Sequence, residues 1–324
     1  MLLNGTIHSS LLQNCFDSLS TLLYDIWNNY LLWVLSPVVL AFLLPLLTLM
    51  FIYVTALFLM LHKAKLVRRL KEAVLEEKDL FRAGREIVCN LWDVQGRIWH
   101  GYTITGLEQI PDKGPALIIY YHGALPVDYY YLVAKISLVK NRVLHCVVDS
   151  ILFKIPGLSG VLQAFSCTPG TVSSCAQTLS EGNLLGLSPG GVYEAQFSSH
   201  IDYNIMWKER TGFAKVAIKA GGVPIIPIFT RNIRETFRCV GFFRSFFMRL
   251  YNKLRFPILP MYGNFPVKMH TFIGKPVEYD HVNDSPEVIR DKCKAALQNL
   301  ISTHQVRPGS IGRALLERFK SHTH

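Results

Sequence analysis

The sequence predicts an α/β fold, a mostly parallel sheet flanked by helices, carried behind an N-terminal transmembrane segment. Three observations lead there. Residues 27–61 hold no charged side chain. Beyond them, short apolar runs at 116–119, 143–148, 184–187 and 223–229 alternate with helical stretches, the order that builds parallel strands with helical crossovers. The length, 324 residues, leaves room behind the membrane segment for one domain of roughly 230–250 residues.

Residues 1–30 form a mildly polar N-terminal segment, with Asp17 and Asp25 but no Lys or Arg. Residues 31–61 are the membrane segment. The run is too long for a signal-peptide core, and no small-residue cleavage site follows it. Pro37 and Pro45 interrupt its first half, so the clean span is expected at about 40–60, with the remainder in the interface or folded into a re-entrant hairpin. Lys63, Lys65, Arg68, Arg69 and Lys71 follow at once. The positive-inside rule then puts the rest of the chain in the cytoplasm. A single crossing leaves the N-terminus lumenal and Asn4-Gly5-Thr6 open to glycosylation; a hairpin leaves both ends cytosolic. A second span over 116–139 is rejected, because Asp128 and Lys135 would each cost about 2.5–3.5 kcal/mol near the bilayer centre.

Residues 62–97 read as a juxtamembrane helical linker, with Leu66, Leu70 and Leu75 on one side among charged residues. A solvated connector satisfies the same pattern. The domain is expected over 98–324, beginning with a short strand at 98–105. Formal net charge is +11 and mean hydropathy +0.24. A basic, apolar chain favours anionic lipid or a phosphorylated cosubstrate over nucleic acid. The seven cysteines are scattered without a CxxC pair, so neither a zinc site nor a disulfide framework is expected.

The chemistry concentrates after the strand at 116–119. His122 leaves the strand, Pro126 suits the first turn of a helix, and Asp128 enters that helix, which runs through Tyr129 to Ala134. A carboxylate that keeps one imidazole nitrogen protonated frees the other to take a proton from a hydroxyl. Residues 106–117, from Gly106-Leu107-Glu108 to Pro115-Ala116-Leu117, lead into His122 and resemble the approach to the catalytic motif of the glycerolipid acyltransferases. That family separates its histidine and aspartate by four residues; here five intervene, and a bulge at Pro126 would absorb the extra one.

The strand at 184–187 ends in Ser188-Pro189-Gly190-Gly191-Val192-Tyr193-Glu194. Family members that acylate phosphate-bearing acceptors carry a Pro-Glu-Gly-Thr-Arg-like motif here. This chain has Gly190 at the glutamate position and Tyr193 at the arginine position, and Gly190-Gly191-x-x-Glu194 is similar to the motif of the diacylglycerol acyltransferases. Adjacent glycines let a substrate approach the backbone. Residues 186–190 also satisfy the G-x-S-x-G elbow of hydrolases. That elbow uses the N–H of the residue after the serine, and Pro189 has none. Later blocks at 210–218, 223–229 and 271–276 resemble the same family in the same order. Residues 231–257 interleave six basic with six aromatic side chains, from Arg234 and Phe237 to Tyr251 and Arg255. They read as an interfacial helix or a site for coenzyme A phosphates. A final helix is capped by Asp284 or Ser285, with Ile289, Cys293, Ala296, Leu297, Leu300 and Ile301 along one face.

The resemblance implies a glycerolipid acyltransferase-like fold and acyl transfer from acyl-CoA to the hydroxyl of mono- or diacylglycerol at the endoplasmic reticulum membrane. His122 and Asp128 would be the catalytic pair, and Gly190, Gly191 and Glu194 the substrate-binding side. Acyl-CoA would serve as cosubstrate, with no further cofactor and no metal. Expected partners are membrane lipid and the glycerolipid acceptor, not nucleic acid. A lysophospholipid or lysophosphatidate acyltransferase and a non-catalytic, membrane-anchored lipid-binding protein remain alternatives.

Overall fold

The computed structural model describes residues 16–24, 32–70, 81–155, 157–241, 244–254 and 260–319. Helix α1 runs over Leu32–Leu70, 39 residues, unbroken at Pro37 and Pro45, and is about 58 Å long at 1.5 Å per residue. The chain does not fold back within this helix, so the hairpin expected from the two prolines is not formed there. Among the described residues α1 alone is long and apolar enough to cross a membrane, over Leu35–His62. Pro45, Thr48, Thr55, Ala56 and Leu59 form a buried stripe along it, at spacings that share one helical face. Leu46, Met50, Val54, Leu57 and Leu61 point outward. The linker helix expected after residue 62 is the end of α1 as far as Leu70; Leu75 lies outside the described residues.

Helix α2, Arg82–His100, buries Val88, Cys89, Trp92 and Gly96 and packs on the helix that follows His122. The strand expected at 98–105 is therefore only β1, Thr103–Thr105. Gly101, with φ 50°, closes α2 by donating its N–H to the Arg97 carbonyl, and the extended chain starts after it.

The remaining elements are β2 (Ala116–Tyr120), α3 (Val127–Lys140), β3 (Leu144–Val148), α4 (Ser159–Ala164), β4 (Thr168–Pro169), α5 (Val172–Ser180), β5 (Leu184–Leu187), α6 (Gly191–Phe197) and α7 (Gly212–Lys219). They continue as β6 (Ile225–Arg231), α8 (Ile233–Thr236), β7 (Phe237–Cys239), α9 (Arg244–Leu254), β8 (Met261–Gly263), β9 (His270–Ile273), α10 (Pro286–His304) and α11 (Ile311–Phe319). Seven strands form one sheet in the order β1-β9-β6-β2-β5-β3-β4. From β6 to β4 every neighbour is parallel, while β9 joins β6 antiparallel. The central strand β2, Ala-Leu-Ile-Ile-Tyr, is buried along its whole length, which is why it reads as a continuous apolar run. Ser285 caps α10 by accepting from the Val288 N–H at 3.3 Å. The basic–aromatic stretch is not one helix: it supplies the end of β6, then α8, β7 and α9. Loops leaving the carboxyl ends of β2, β5 and β6 lie side by side, the usual place for a site in an open parallel sheet.

Candidate active site

Each of these three loops contributes. After β2, Tyr121 donates its N–H to the Ile228 carbonyl, and His122 follows half-buried. The expected bulge is an inverse γ-turn: Pro126 has φ −83° and ψ 59°, and the Val127 N–H donates to the Leu125 carbonyl at 3.0 Å. This turn takes up the residue by which the loop exceeds the family spacing.

The sequence-predicted pair is not joined here. His122 Nδ1 donates to the Gly123 carbonyl at 2.6 Å, and no hydrogen bond links the ring to Asp128. The short turn closes on its own carbonyl before the helix begins, so Gly123 fills the carboxylate's place at Nδ1. The tautomer that results leaves Nε2 unprotonated, with a lone pair available as a base. Loss of hydration lowers the His122 pKa to about 4; the Gly123 bond opposes this and the Arg234 charge adds to it. Asp128 is buried in the first turn of α3, and its Oδ1 has no hydrogen-bond partner. Burial raises its pKa to about 6, against stabilising contacts from the Thr230 hydroxyl and two backbone N–H groups.

The second motif departs from expectation. Glu194, fully buried, accepts from the His122 N–H at 3.2 Å and the Met206 N–H at 2.8 Å. It positions the His122 loop rather than lining the acceptor side. Burial raises its pKa, opposed by those N–H donors and the Arg234 charge. A Cβ on Gly190 would sit 2.4 Å from the Glu194 Cβ, so the glycine makes room for this carboxylate. Gly191, at φ 51°, gives its N–H to the Ser188 carbonyl at 3.1 Å and has none to offer an oxyanion. Tyr193 is buried beneath the Lys208 ammonium, 3.6 Å from its ring. Ser188 Oγ accepts from the Gly191 N–H at 3.4 Å and contacts Glu194, with no histidine bonded to it. Ser188→Ala is accordingly expected to retain at least about a third of wild-type transfer, since a neutral hydrogen bond of this kind contributes only about 1 kcal/mol. Labelling of Ser188 by a serine-reactive fluorophosphonate would show a nucleophile instead.

Sequence reasoning treated Arg234 only as a contact for substrate or headgroup phosphate. It sits in α8, one turn past the end of β6, and is 2% exposed. Its guanidinium donates to Tyr121 Oη at 3.0 Å, the Ala195 carbonyl at 2.8 Å, the His122 carbonyl at 2.8 Å and the Glu194 carbonyl at 2.7 Å. One side chain thus ties the β2 loop to α6. Its signal in the sequence was the strand end at Arg231, the same position in its unit that His122 and Ser188 hold in theirs. Arg210, exposed at the rim, donates to the Gly190 carbonyl at 2.8 Å. It too was not singled out.

The Acyltransferase family model matches residues 101–231. A cattle protein described as a DGAT1/2-independent enzyme synthesizing storage lipids is 49% identical over 92% of this chain and 87% of its own length. Its human counterpart, under the same description, is 49% identical over 90% and 87%. The chain belongs to the acyltransferase family. A mouse protein, acyl-CoA wax alcohol acyltransferase 1, is 29% identical over 51% of this acyltransferase and 57% of its own chain. The matched span contains His122, Asp128, Gly190, Gly191 and Glu194, and stops three residues short of Arg234.

Proposed function

We propose that this acyltransferase moves a fatty acyl group from acyl-CoA to the hydroxyl of a neutral glycerolipid, mono- or diacylglycerol, and so makes triacylglycerol-type storage lipid. The observation that carries the neutral acceptor is the state of the arginines. Phosphate recognition favours a guanidinium with free N–H groups. Arg234 is spent on one hydroxyl and three backbone carbonyls. Arg231 pairs with Glu317 at 2.6 Å. Tyr193 fills the position of the family's phosphate-binding arginine. The description of the cattle and human relatives agrees with this reading, and the name of the mouse relative supports acyl-CoA as donor.

His122 Nε2 takes the proton of the acceptor hydroxyl, and the oxygen attacks the thioester carbonyl. The tetrahedral intermediate expels the thiolate of coenzyme A, which recovers the proton from the imidazolium. Carbon–oxygen bond formation and carbon–sulfur cleavage balance without an enzyme nucleophile. Asp128 joins at the charged stage: the ring leaves the Gly123 carbonyl, and the unpartnered Oδ1 accepts from Nδ1–H as the imidazolium forms. Gly190 and Gly191 keep the β5 loop low beside the reacting atoms, and Glu194 fixes the His122 backbone. The basic run Lys63–Lys71 supports a cytoplasmic site on the endoplasmic reticulum membrane.

Purified full-length protein given radiolabelled oleoyl-CoA and diacylglycerol is expected to form labelled triacylglycerol. Label that moves only from a phospholipid acyl donor would remove coenzyme A from the reaction.

A further inference from the structure

Helix α2 buries one face in the fold and leaves the opposite one uncovered. Ile87, Leu91, Val94 and Ile98 are 47%, 47%, 45% and 70% exposed. Their spacing of four, three and four residues places them within one narrow stripe of an α-helix. The exposed polar residues Glu86, Asn90 and Arg97 lie together along one flank of that stripe. A row of four bulky apolar side chains kept in water is costly at about 25 cal/mol per Å², so something covers it.

The neighbours identify what. Gly84, near the start of α2, touches the Leu59 and His62 side chains of α1, which places the stripe beside the outward face of α1. Gly157 and Gly160 approach Tyr53 and the Ala56 carbonyl of α1 in the same way. Just before them Phe153 and Ile155 are 45% and 38% exposed. Two separate elements resting on the apolar helix therefore each turn further apolar side chains outward beside it. A protein partner would need about 800 Å² per side, more than one row of four side chains presents.

We propose that α2 is an interfacial helix whose Ile87-Leu91-Val94-Ile98 stripe lies in the acyl-chain region of the same bilayer that holds α1, with Glu86, Asn90 and Arg97 at headgroup level. The opposite face of α2 packs on α3, the helix that carries Asp128. The bilayer is then separated from the candidate site by a single helix layer.

An environment-sensitive thiol dye at Leu91→Cys or Ile98→Cys, in full-length protein in phosphatidylcholine vesicles, reads this directly. The signal is taken as the increment over labelled wild type, and Val282→Cys, at a position 76% exposed, serves as the aqueous control. Expected is blue-shifted emission at 91 and 98, quenched by doxyl-labelled phosphatidylcholine and spared by iodide, with the reverse at 282. Iodide quenching at 91 and 98 equal to that at 282 would place the stripe in water and overturn the proposal. Protection from both quenchers would assign it to a protein partner and overturn it equally.

Discussion

Full-length protein carrying His122→Ala is expected to lose acyl transfer by about 10²–10⁴-fold, the usual contribution of a general base, with thermal unfolding and membrane fractionation unchanged. The ring is half-buried, and its one recorded side-chain bond is to the adjacent Gly123 carbonyl, so its removal disturbs little packing. The pH profile supplies a second readout. The base works only when neutral, and burial has lowered its pKa to about 4, so the acid limb of kcat/KM should fall well below the ordinary histidine range. Its contribution to stability has the matching sign. Between about 4 and the unfolded value near 6.5 the unfolded chain holds the extra proton, so the contribution is complete above that window and is lost as pH falls through it. The buried Asp128, raised to about 6, works oppositely: it is protonated only in the fold between about 4 and 6, and its contribution is lost as pH rises. Asp128→Asn is expected to lose about 10²–10⁴-fold in rate. A loss below tenfold would mean that the Gly123 carbonyl alone holds the ring.

Arg234→Met is the change expected to cost most stability, about 3–5 kcal/mol, because a buried charge is removed from partners that stay behind. Three carbonyls and the Tyr121 hydroxyl lose their donor, and each unsatisfied buried group costs about 1–3 kcal/mol. Glu194 also loses its nearest compensating charge. Arg234→Lys should restore little, since an ammonium cannot span the four acceptors as a planar fork does. Arg231→Met is the control: its pair with Glu317 is partly exposed and should contribute at most about 1 kcal/mol. Thermal unfolding in detergent compares the three. Similar midpoints for Arg234→Met and Arg231→Met would show that the buried network does not hold the β2 loop.

The α/β architecture was legible because its central strands are buried on both faces and so appear as uninterrupted apolar runs. Strand β5 at residues 184–187 falls where that pattern put it. The start of the fold was not legible. Trp92 and Val88 belong to the core, but they sit in a helix whose other face is also apolar, so the stretch carries little amphipathic contrast to tell a core helix from a linker. Pro37 and Pro45 suggested a break that α1 does not make, since prolines are tolerated in apolar helices whose freed carbonyls find other partners. Within the site, His122 was visible from its strand end. The roles of Glu194 and Arg234 were not, because the contacts that define them join residues 72 and 112 positions away from His122. Gly190 carries the same lesson: the glycine was legible, and the carboxylate it makes room for was not.

Initial rates with diacylglycerol and with lysophosphatidate, at matched surface concentration in the same vesicles and with the same acyl-CoA, test the central claim most directly. A phosphate brought to this site without a free guanidinium loses solvation worth several kcal/mol. The account therefore predicts diacylglycerol to be preferred by at least about 100-fold, equivalent to roughly 2.7 kcal/mol. A preference for lysophosphatidate would contradict it and would give Arg210, at the rim of the Gly190 turn, the phosphate-binding role.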